Sequence, residues 1–343
     1  MKQRESGIDL LRCVGLLFVV GVHSFLKNGY YSEPQTGALI WAANCWRWLF
    51  FCCNGIFMML TGYLKTTKPF DRKYYKGLIP ILTAYVLICL ITFPIRHFFL
   101  GEKNSLMDWL TVFAGFGNYA WYLEMYIGLL LISPMMNFAL DGLKTPGKQL
   151  FFTGVMVLVT AVPSMTPVMI APDYWVGLYP ITYYLIGAMI KRLQPKVPVW
   201  AGLGVVAATA MLLGMLSVLS TDGGMSEGFG QGYGDFYITL MTTALFLGLY
   251  RLRIPEKFGC VLAWAAGGCF EGYLLSRLLD VWVYNLLPQW HTPKLYPLLF
   301  ICVTIPIYLF SIFTGKGVHC LAEWCVKAIE RLWKKKTLAE PNV

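Results

Sequence analysis

Ten apolar stretches, each long enough to cross a bilayer as a helix, constrain the fold of this chain more than any motif. A membrane-spanning helix needs about 17–25 mostly apolar residues, and inside the bilayer its backbone must satisfy its own hydrogen bonds. Only 13% of the residues are charged and 57% are hydrophobic, which lies outside the range of soluble domains. The sequence therefore predicts an all-α, polytopic membrane helix bundle with about ten transmembrane helices. The predicted spans are Ile8–Leu26, Leu39–Leu64, Leu78–Phe99, Tyr119–Leu140, Leu150–Ala171, Tyr174–Ile190, Val199–Leu219, Phe236–Tyr250, Cys260–Leu286 and Tyr296–Phe313.

Lys and Arg gather in every second loop between these spans, and this asymmetry predicts the orientation. Basic clusters lie near the N-terminus and within 65–76, 144–148, 191–196, 251–257 and 316–336. Cytoplasmic loops carry an excess of Lys and Arg, so these segments and both termini are expected on the cytoplasmic side. The net charge of +10 thus indicates topology and a lipid bilayer as partner, and no nucleic-acid partner is expected.

The chain divides into a ten-helix transmembrane domain, residues 1–315, and a basic tail, residues 316–343. The tail segment "AEWCVKAIERLWKKK" has the pattern of an amphipathic helix suited to an anionic membrane surface, although a tail that only fixes topology fits equally. The glycine-rich loop at 220–235 favours a flexible linker over a nucleotide-binding loop, because no strand precedes it. Most of the ten cysteines lie within spans, so neither a structural disulfide nor a metal site is expected.

Ionisable residues inside the first span indicate a function, since such groups are costly in hydrocarbon. Arg12 and His23 are eleven residues apart, about three helical turns, so they share one helix face at depths about 16 Å apart. A fixed cation at one end and a titratable base at the other suit an elongated anionic donor such as acyl-CoA. Each residue also has a structural interpretation, in which Arg12 reaches the interface and His23 hydrogen-bonds a neighbouring helix.

The segment "GIDLLRCVGLLFVVGVHS" resembles the opening of the acyltransferase-3 family of bacterial membrane O-acyltransferases, whose first helix carries an arginine and a histidine separated by ten residues. Asp9 occupies the acidic position that usually precedes the arginine in that family. "NGIFMMLTGYLKTTK", "DRKYYKGLIP", "NYAWYLEMYIGLLLISPMMN" and "LYPITYYLIGAMIKR" resemble later family segments, so the similarity extends over most of the chain. One segment differs: "CFEGYLLSRLLDVWVY" has Ser276 where the family often has a histidine.

The resemblance implies transfer of an acyl group, with acetyl expected, from cytoplasmic acyl-CoA to a hydroxyl of a cell-surface glycan or other envelope molecule. It also implies a bacterial cell membrane location. We predict His23 as general base or, alternatively, as acyl carrier, with Arg12 holding the donor. Asp9, Lys73 and Tyr75 are further candidates for binding acyl-CoA, and no metal cofactor is expected.

The remaining site candidates are less specific. Glu124 could orient His23 or pair with an arginine, and it is the third predicted catalytic residue. The candidates for substrate binding or oxyanion stabilisation are Arg47 and Asn54, seven residues apart on one helix stripe; Trp121 and Tyr122, which are equally suited to anchoring at the membrane interface; Glu271 and Ser276; and Arg277 and Asp280, whose i, i+3 spacing allows an ion pair.

A proton-coupled transporter of a small anionic or envelope-precursor solute is the main rival function. Proline-interrupted spans and intramembrane charge suit a transporter. However, the Arg…His pattern of the first span has no counterpart in the sixth, so no internal repeat supports this interpretation. A receptor without chemistry would leave the intramembrane charges unexplained.

Overall fold

The computed structural model describes residues 5–32, 36–69, 71–103, 105, 107–108, 110–111, 121–165, 171–219, 232–286 and 296–339. Within them the regular secondary structure is helical. The first basic residues of the chain and residues 220–231 of the glycine-rich loop lie outside the described residues. The helices are α1 (Ser6–Lys27), α2 (Ala38–Phe50), α3 (Cys52–Lys65), α4 (Arg72–Lys76), α5 (Leu78–Phe98), α6 (Trp121–Gly142), α7 (Pro146–Thr160), α8 (Tyr179–Leu193), α9 (Val199–Leu219), α10 (Phe236–Leu249), α11 (Glu256–Ala266), α12 (Cys269–Leu286), α13 (Tyr296–Leu299) and α14 (Ile305–Ala339).

Six helical segments of the described chain are long and apolar enough to cross a membrane. They are α1, α2 with α3, α4 with α5, α6, α9, and α14 with the π-helical segment Phe300–Thr304 that precedes it. A seventh is added if α11 and α12, which are bent by 60° relative to each other, count as one span. The shorter helices α7, α8 and α10 overlap three further apolar stretches that the sequence predicts as spans. The structure therefore confirms the predicted fold class, an all-helical bundle with membrane-spanning helices.

Close helix contacts hold α3 at the centre of the bundle. A Cβ atom on Gly62 of α3 would clash with the carbonyl oxygen of Tyr184, and one on Gly187 of α8 would clash with that of Met59. Small residues let backbones approach closely, which is how membrane helices gain packing energy in the absence of a hydrophobic driving force. This approach fixes α3, and with it Asn54, against the core that α1 also faces.

Glycines likewise bring α12 against α14. Gly268 and Gly272 form a G-x-x-x-G pattern, and a Cβ on Gly272 would lie 2.6 Å from the carbonyl oxygen of Ser311. Helix α14 continues from Ile305 to Ala339 without a break. The predicted boundary between residues 315 and 316 therefore falls inside one helix, which carries the first part of the basic tail alongside α12; the division into two domains stays a prediction.

Candidate active site

Two cavities lie along the face of α1 that carries Arg12 and His23. Arg12 lines the larger cavity, of about 390 Å³, and His23 lines the smaller one, of about 30 Å³. Tyr273 of α12 lines both. Because α1 is continuous, its geometry separates Arg12 from His23 by about 16 Å along the helix axis. The two residues therefore belong to neighbouring spaces, with no contact needed between them.

His23 is paired with a buried carboxylate. Its Nδ1 atom lies 2.5 Å from Oδ2 of Asp280 in α12, and the side chain of Asp280 is 1% exposed against 25% for His23. A carboxylate accepts a hydrogen bond, so we assign the proton of the neutral imidazole to Nδ1, which leaves Nε2 as an acceptor. This is the arrangement of a general base held in its working tautomer by a buried acid.

This contact changes two sequence-based interpretations. Glu124 was the candidate carboxylate for His23, whereas the structure places Asp280 there. Glu124 is exposed on α6, and it forms no hydrogen bond or ion pair with any residue that the structure describes. Asp280 was a candidate partner of Arg277 by spacing, but its Oδ2 atom contacts His23. The i, i+3 rule considers one helix only, and the contact that forms joins two.

Three buried polar atoms lie near this pair without hydrogen-bond partners in the described part of the chain. They are Oδ1 of Asp280, the hydroxyl of Tyr284 and Oγ1 of Thr304. Tyr284 is one turn beyond Asp280 on α12 and lies near Thr304 and Ser24. Thr304 ends the π-helical segment, a local widening that often occurs at functional sites. Buried polar groups of this kind are commonly satisfied by ordered water.

The larger cavity combines cations at one end with aromatic walls. Arg12 and Lys65 line it together with Phe57, Tyr126 and Phe270. Arg12 is held by Asp9, whose Oδ1 accepts from its Nη1 at 3.0 Å; Asp9 is 3% exposed and is not a lining residue. Asp9 therefore positions the guanidinium and does not itself face the cavity. A cation fixed at the mouth of an apolar space suits a ligand with a charged head and a less polar arm.

Lys73 and Tyr75, which the sequence nominates for acyl-CoA, do not line this cavity. Lys73 is exposed, and the hydroxyl of Tyr75 donates to the carbonyl oxygen of Leu131 at 3.3 Å. Lys65 lines it in their place, with its ammonium 5.1 Å from the ring centre of Tyr74. Lys65, at the end of α3, is the basic residue of the segment 65–76 that lines the cavity, and the roles of Lys73 and Tyr75 stay predictions.

His319 enters the site from the tail, and sequence reasoning missed it. Its Nδ1 lies 2.9 Å from Oε1 of Glu271, and its Nε2 lies 3.5 Å from Glu323. All three residues line the larger cavity together with Arg12, so Glu271 belongs to that cavity and Asp280 does not. The i, i+4 spacing of His319 and Glu323 was visible in the sequence, but the tail was expected to lie outside the membrane domain.

Two buried hydrogen-bond donors face the larger cavity near Tyr273. Asn54 and Tyr122 both line it, and the side-chain nitrogen of Asn54 and the hydroxyl of Tyr122 have no hydrogen-bond partner among the described residues. Asn54 is 3% exposed and Tyr122 is 5% exposed. Leaving a buried donor unsatisfied costs about 1–3 kcal/mol, so these groups are poised to receive a ligand oxygen or water.

Arg47 does not accompany Asn54, although the seven-residue spacing predicted a common stripe. Phe51 keeps a helical backbone between α2 and α3, so the two side chains share a stripe but lie about 10 Å apart along the helix axis. The Nε atom of Arg47 donates to the hydroxyl of Tyr31 at 3.0 Å, and its guanidinium lies 4.1 Å from the ring centre of Trp48. Arg47 is buried in this aromatic setting and lines neither cavity.

Of the remaining candidate residues, two line the small cavity and one is buried in the protein core. Trp121 and Arg277 line the small cavity beside His23, and Trp121 also stacks on Tyr233 with ring centres 5.6 Å apart. Ser276 is fully buried, and its hydroxyl donates to the carbonyl oxygen of Tyr273 at 2.8 Å. Ser276 thus contacts its own helix and lines neither cavity. Trp121 and Arg277 are the candidates with access to a molecule at His23.

The ten cysteines are free thiols. No group of three or more His, Cys, Asp or Glu side chains that could hold a metal ion occurs among the described residues. A metal-free site stays a prediction of the sequence.

Comparison with known proteins gives the family. No curated protein and no solved structure shows significant similarity to the chain. A family model described as an acyltransferase domain, that of the acyltransferase-3 family, matches residues 5–316 and so covers nearly the whole chain, from before α1 into α14. The chain therefore belongs to the acyltransferase-3 family and is a membrane acyltransferase.

Proposed function

We propose that this acyltransferase moves an acyl group, acetyl by expectation, from acyl-CoA to a hydroxyl of a cell-surface glycan or other envelope molecule. The observation that carries the proposal is the pairing of His23 with buried Asp280, one helical turn beyond a cavity that Arg12 and Lys65 line. The pair offers a base, and the cavity offers a place for a long anionic donor. Arg12 in the cavity and His23 in the pair both belong to helix α1.

The donor occupies the larger cavity in this proposal. Arg12 and Lys65 bind the phosphates of CoA, since fixed cations are suited to charge-assisted hydrogen bonds with phosphate oxygens. The pantetheine arm extends along α1 past Val19, which lines the same cavity one turn before His23. The thioester carbonyl then lies near Tyr273, between the two spaces.

The transfer itself needs one proton movement at His23. Nε2 takes the proton of the acceptor hydroxyl as the oxygen attacks the thioester carbon, and the resulting imidazolium is stabilised by the Asp280 carboxylate. The tetrahedral intermediate collapses by breaking its C–S bond. His23 returns the proton to the departing sulfur, so the products are an O-acyl ester and free CoA.

Asn54 and Tyr122 stabilise the oxyanion of that intermediate. Their unpartnered donors already face the cavity, so little reorganisation is required when charge develops. Trp121, exposed beside His23, gives a sugar ring a flat apolar surface, and Arg277 completes the acceptor side. These placements favour a hydroxyl on a glycan as acceptor.

In this proposal ten spans cross the bacterial cell membrane, and both termini are cytoplasmic. Each of the ten apolar stretches overlaps a helix or a helix pair, and the basic loops alternate along the chain. A C-terminal reporter that is active only outside the cytoplasm should be inactive on the full chain. Activity of that reporter in intact cells would contradict this orientation.

A direct test uses the full chain in nanodiscs with acetyl-CoA labelled in the acetyl group and polysaccharide extracted from the host envelope. We expect label in ester linkage on the polysaccharide together with release of free CoA. His23→Ala should lower the rate by about 10²–10⁴-fold, the usual contribution of a general base. Lys73→Ala is a matched charge-removing control outside the cavity and should keep the wild-type rate.

Three other results would change the assignment. Wild-type transfer by a folded His23→Ala variant would contradict the role of His23. Acetyl label retained on His23 in the absence of acceptor would make His23 an acyl carrier in place of a base. Proton-coupled solute uptake without any release of CoA would favour the transporter.

A further inference from the structure

The ring of Tyr273 stands between the donor cavity and His23. Tyr273 lines both the larger cavity and the small one beside His23. On α1, Val19 belongs to the larger cavity and His23 to the small one, and these residues are four positions, about 6 Å, apart. A group that moves from the donor cavity to His23 along α1 therefore passes this tyrosine.

Neighbouring contacts hold Tyr273 in place. Its ring packs edge-on against Tyr122, with ring centres 5.4 Å apart. Its carbonyl oxygen accepts the Ser276 hydroxyl at 2.8 Å, and the preceding Gly272 is pressed against Ser311 of α14. The backbone at Tyr273 cannot retreat easily because a packed interior resists displacement.

The space beyond this ring is small. The cavity lined by His23, Trp121, Tyr273, Leu274 and Arg277 has a volume of about 30 Å³, against about 390 Å³ on the donor side. A ligand therefore finds room for a long arm before Tyr273 but for only a few atoms after it. The acyl carbon meets the acceptor oxygen at this boundary, so the room beside the Tyr273 ring limits the length of the acyl chain.

We propose that Tyr273 determines the acyl-group specificity of the enzyme by restricting the donor to a two-carbon acyl group. This inference rests on the proposed function, since it assumes an acyl-CoA donor that enters through the larger cavity. It adds the substrate class, a short unbranched acyl thioester, and the residue that selects it. An added methylene changes the rate by about 10- to 200-fold when a pocket discriminates by size.

The test compares kcat/KM for acetyl-, propionyl-, butyryl- and hexanoyl-CoA, using the full chain in nanodiscs and release of free CoA. Wild type should favour acetyl over butyryl by 100-fold or more. Tyr273→Ala should reduce that ratio at least tenfold, and Tyr273→Phe should keep it because the ring remains. Phe270→Ala is the matched control: Phe270 lies one turn earlier on α12 and lines only the larger cavity, so the ratio should remain that of wild type.

The outcomes separate this inference from the proposed function. Acyl transfer by wild type with no preference for short thioesters, or an unchanged ratio in Tyr273→Ala, would overturn the role of Tyr273 while leaving the acyltransferase intact. An equal loss of selectivity in Phe270→Ala would also overturn it. Absence of CoA release from wild type with every thioester would instead contradict the proposed function. If Tyr273→Ala does not fold, Tyr273→Leu tests the same loss of ring volume with less disturbance of packing.

Discussion

Asp280→Asn preserves the volume of the Asp280 side chain while removing the charge that faces His23. In the wild-type protein the two side chains are 2.5 Å apart, and Asp280 is 1% exposed, so water and salt screen the contact little. The substitution places an amide beside Nδ1. That amide can turn either its nitrogen or its oxygen towards the imidazole. The imidazole is then no longer held in one tautomer, and the imidazolium formed during the reaction loses its counter-charge.

The size of the effect follows from the contact that is lost. A hydrogen bond to a charged group contributes about 1.5–3 kcal/mol, and every 1.36 kcal/mol changes a rate tenfold. If that bond acts fully in the transition state, kcat falls by about 10- to 150-fold. KM for acyl-CoA should change little, since Asp280 lies beyond the small cavity and does not line the donor space.

The assay is a double-mutant cycle on CoA release and acyl transfer. Because Asp280 acts through His23, Asp280→Asn should have almost no further effect in a His23→Ala background. Thermal unfolding and size-exclusion profiles in detergent establish that each variant is folded. Wild-type kcat in Asp280→Asn, or a loss that is equally large with and without His23, would refute the idea that Asp280 works by positioning the imidazole.

Three further predictions concern other parts of the molecule. Arg12→Ala should raise KM for acyl-CoA about tenfold or more, while Lys73→Ala should not, and initial rates over a range of donor concentrations distinguish the two. Asn54→Ala should lower kcat by about 10²–10³-fold with little change in KM, as for the loss of one oxyanion donor, and equal changes in both constants would contradict that role. Gly272→Ala places a methyl group 2.6 Å from the carbonyl oxygen of Ser311, so we expect a loss of about 1–3 kcal/mol in stability. The loss is measured as a lower thermal midpoint in nanodiscs. An unchanged midpoint would show that α12 and α14 can separate freely.

Much of the site could be predicted from the sequence of α1, because hydropathy and helical periodicity depend only on residues close together in the chain. Hydropathy identified the segment as a span, and the 3.6-residue period placed Arg12 and His23 on one face before any fold was known. The same reasoning did not bring Arg47 and Asn54 to one site, since seven residues separate them by about 10 Å along the helix axis. Arg47 lies among aromatic rings, whereas Asn54 lines the larger cavity.

The sequence by itself determined the all-helical membrane class and the line of Arg12 and His23 on one helix face, because hydropathy and helical periodicity act over a few residues. Only the tertiary structure decided which side chains meet them. Asp280 reaches His23 across 257 residues of sequence, and His319 reaches Glu271 through a helix that continues into the basic tail. The physical reason lies in the interfaces between helices, where the glycine contacts of α12 with α14 set positions that no single segment specifies.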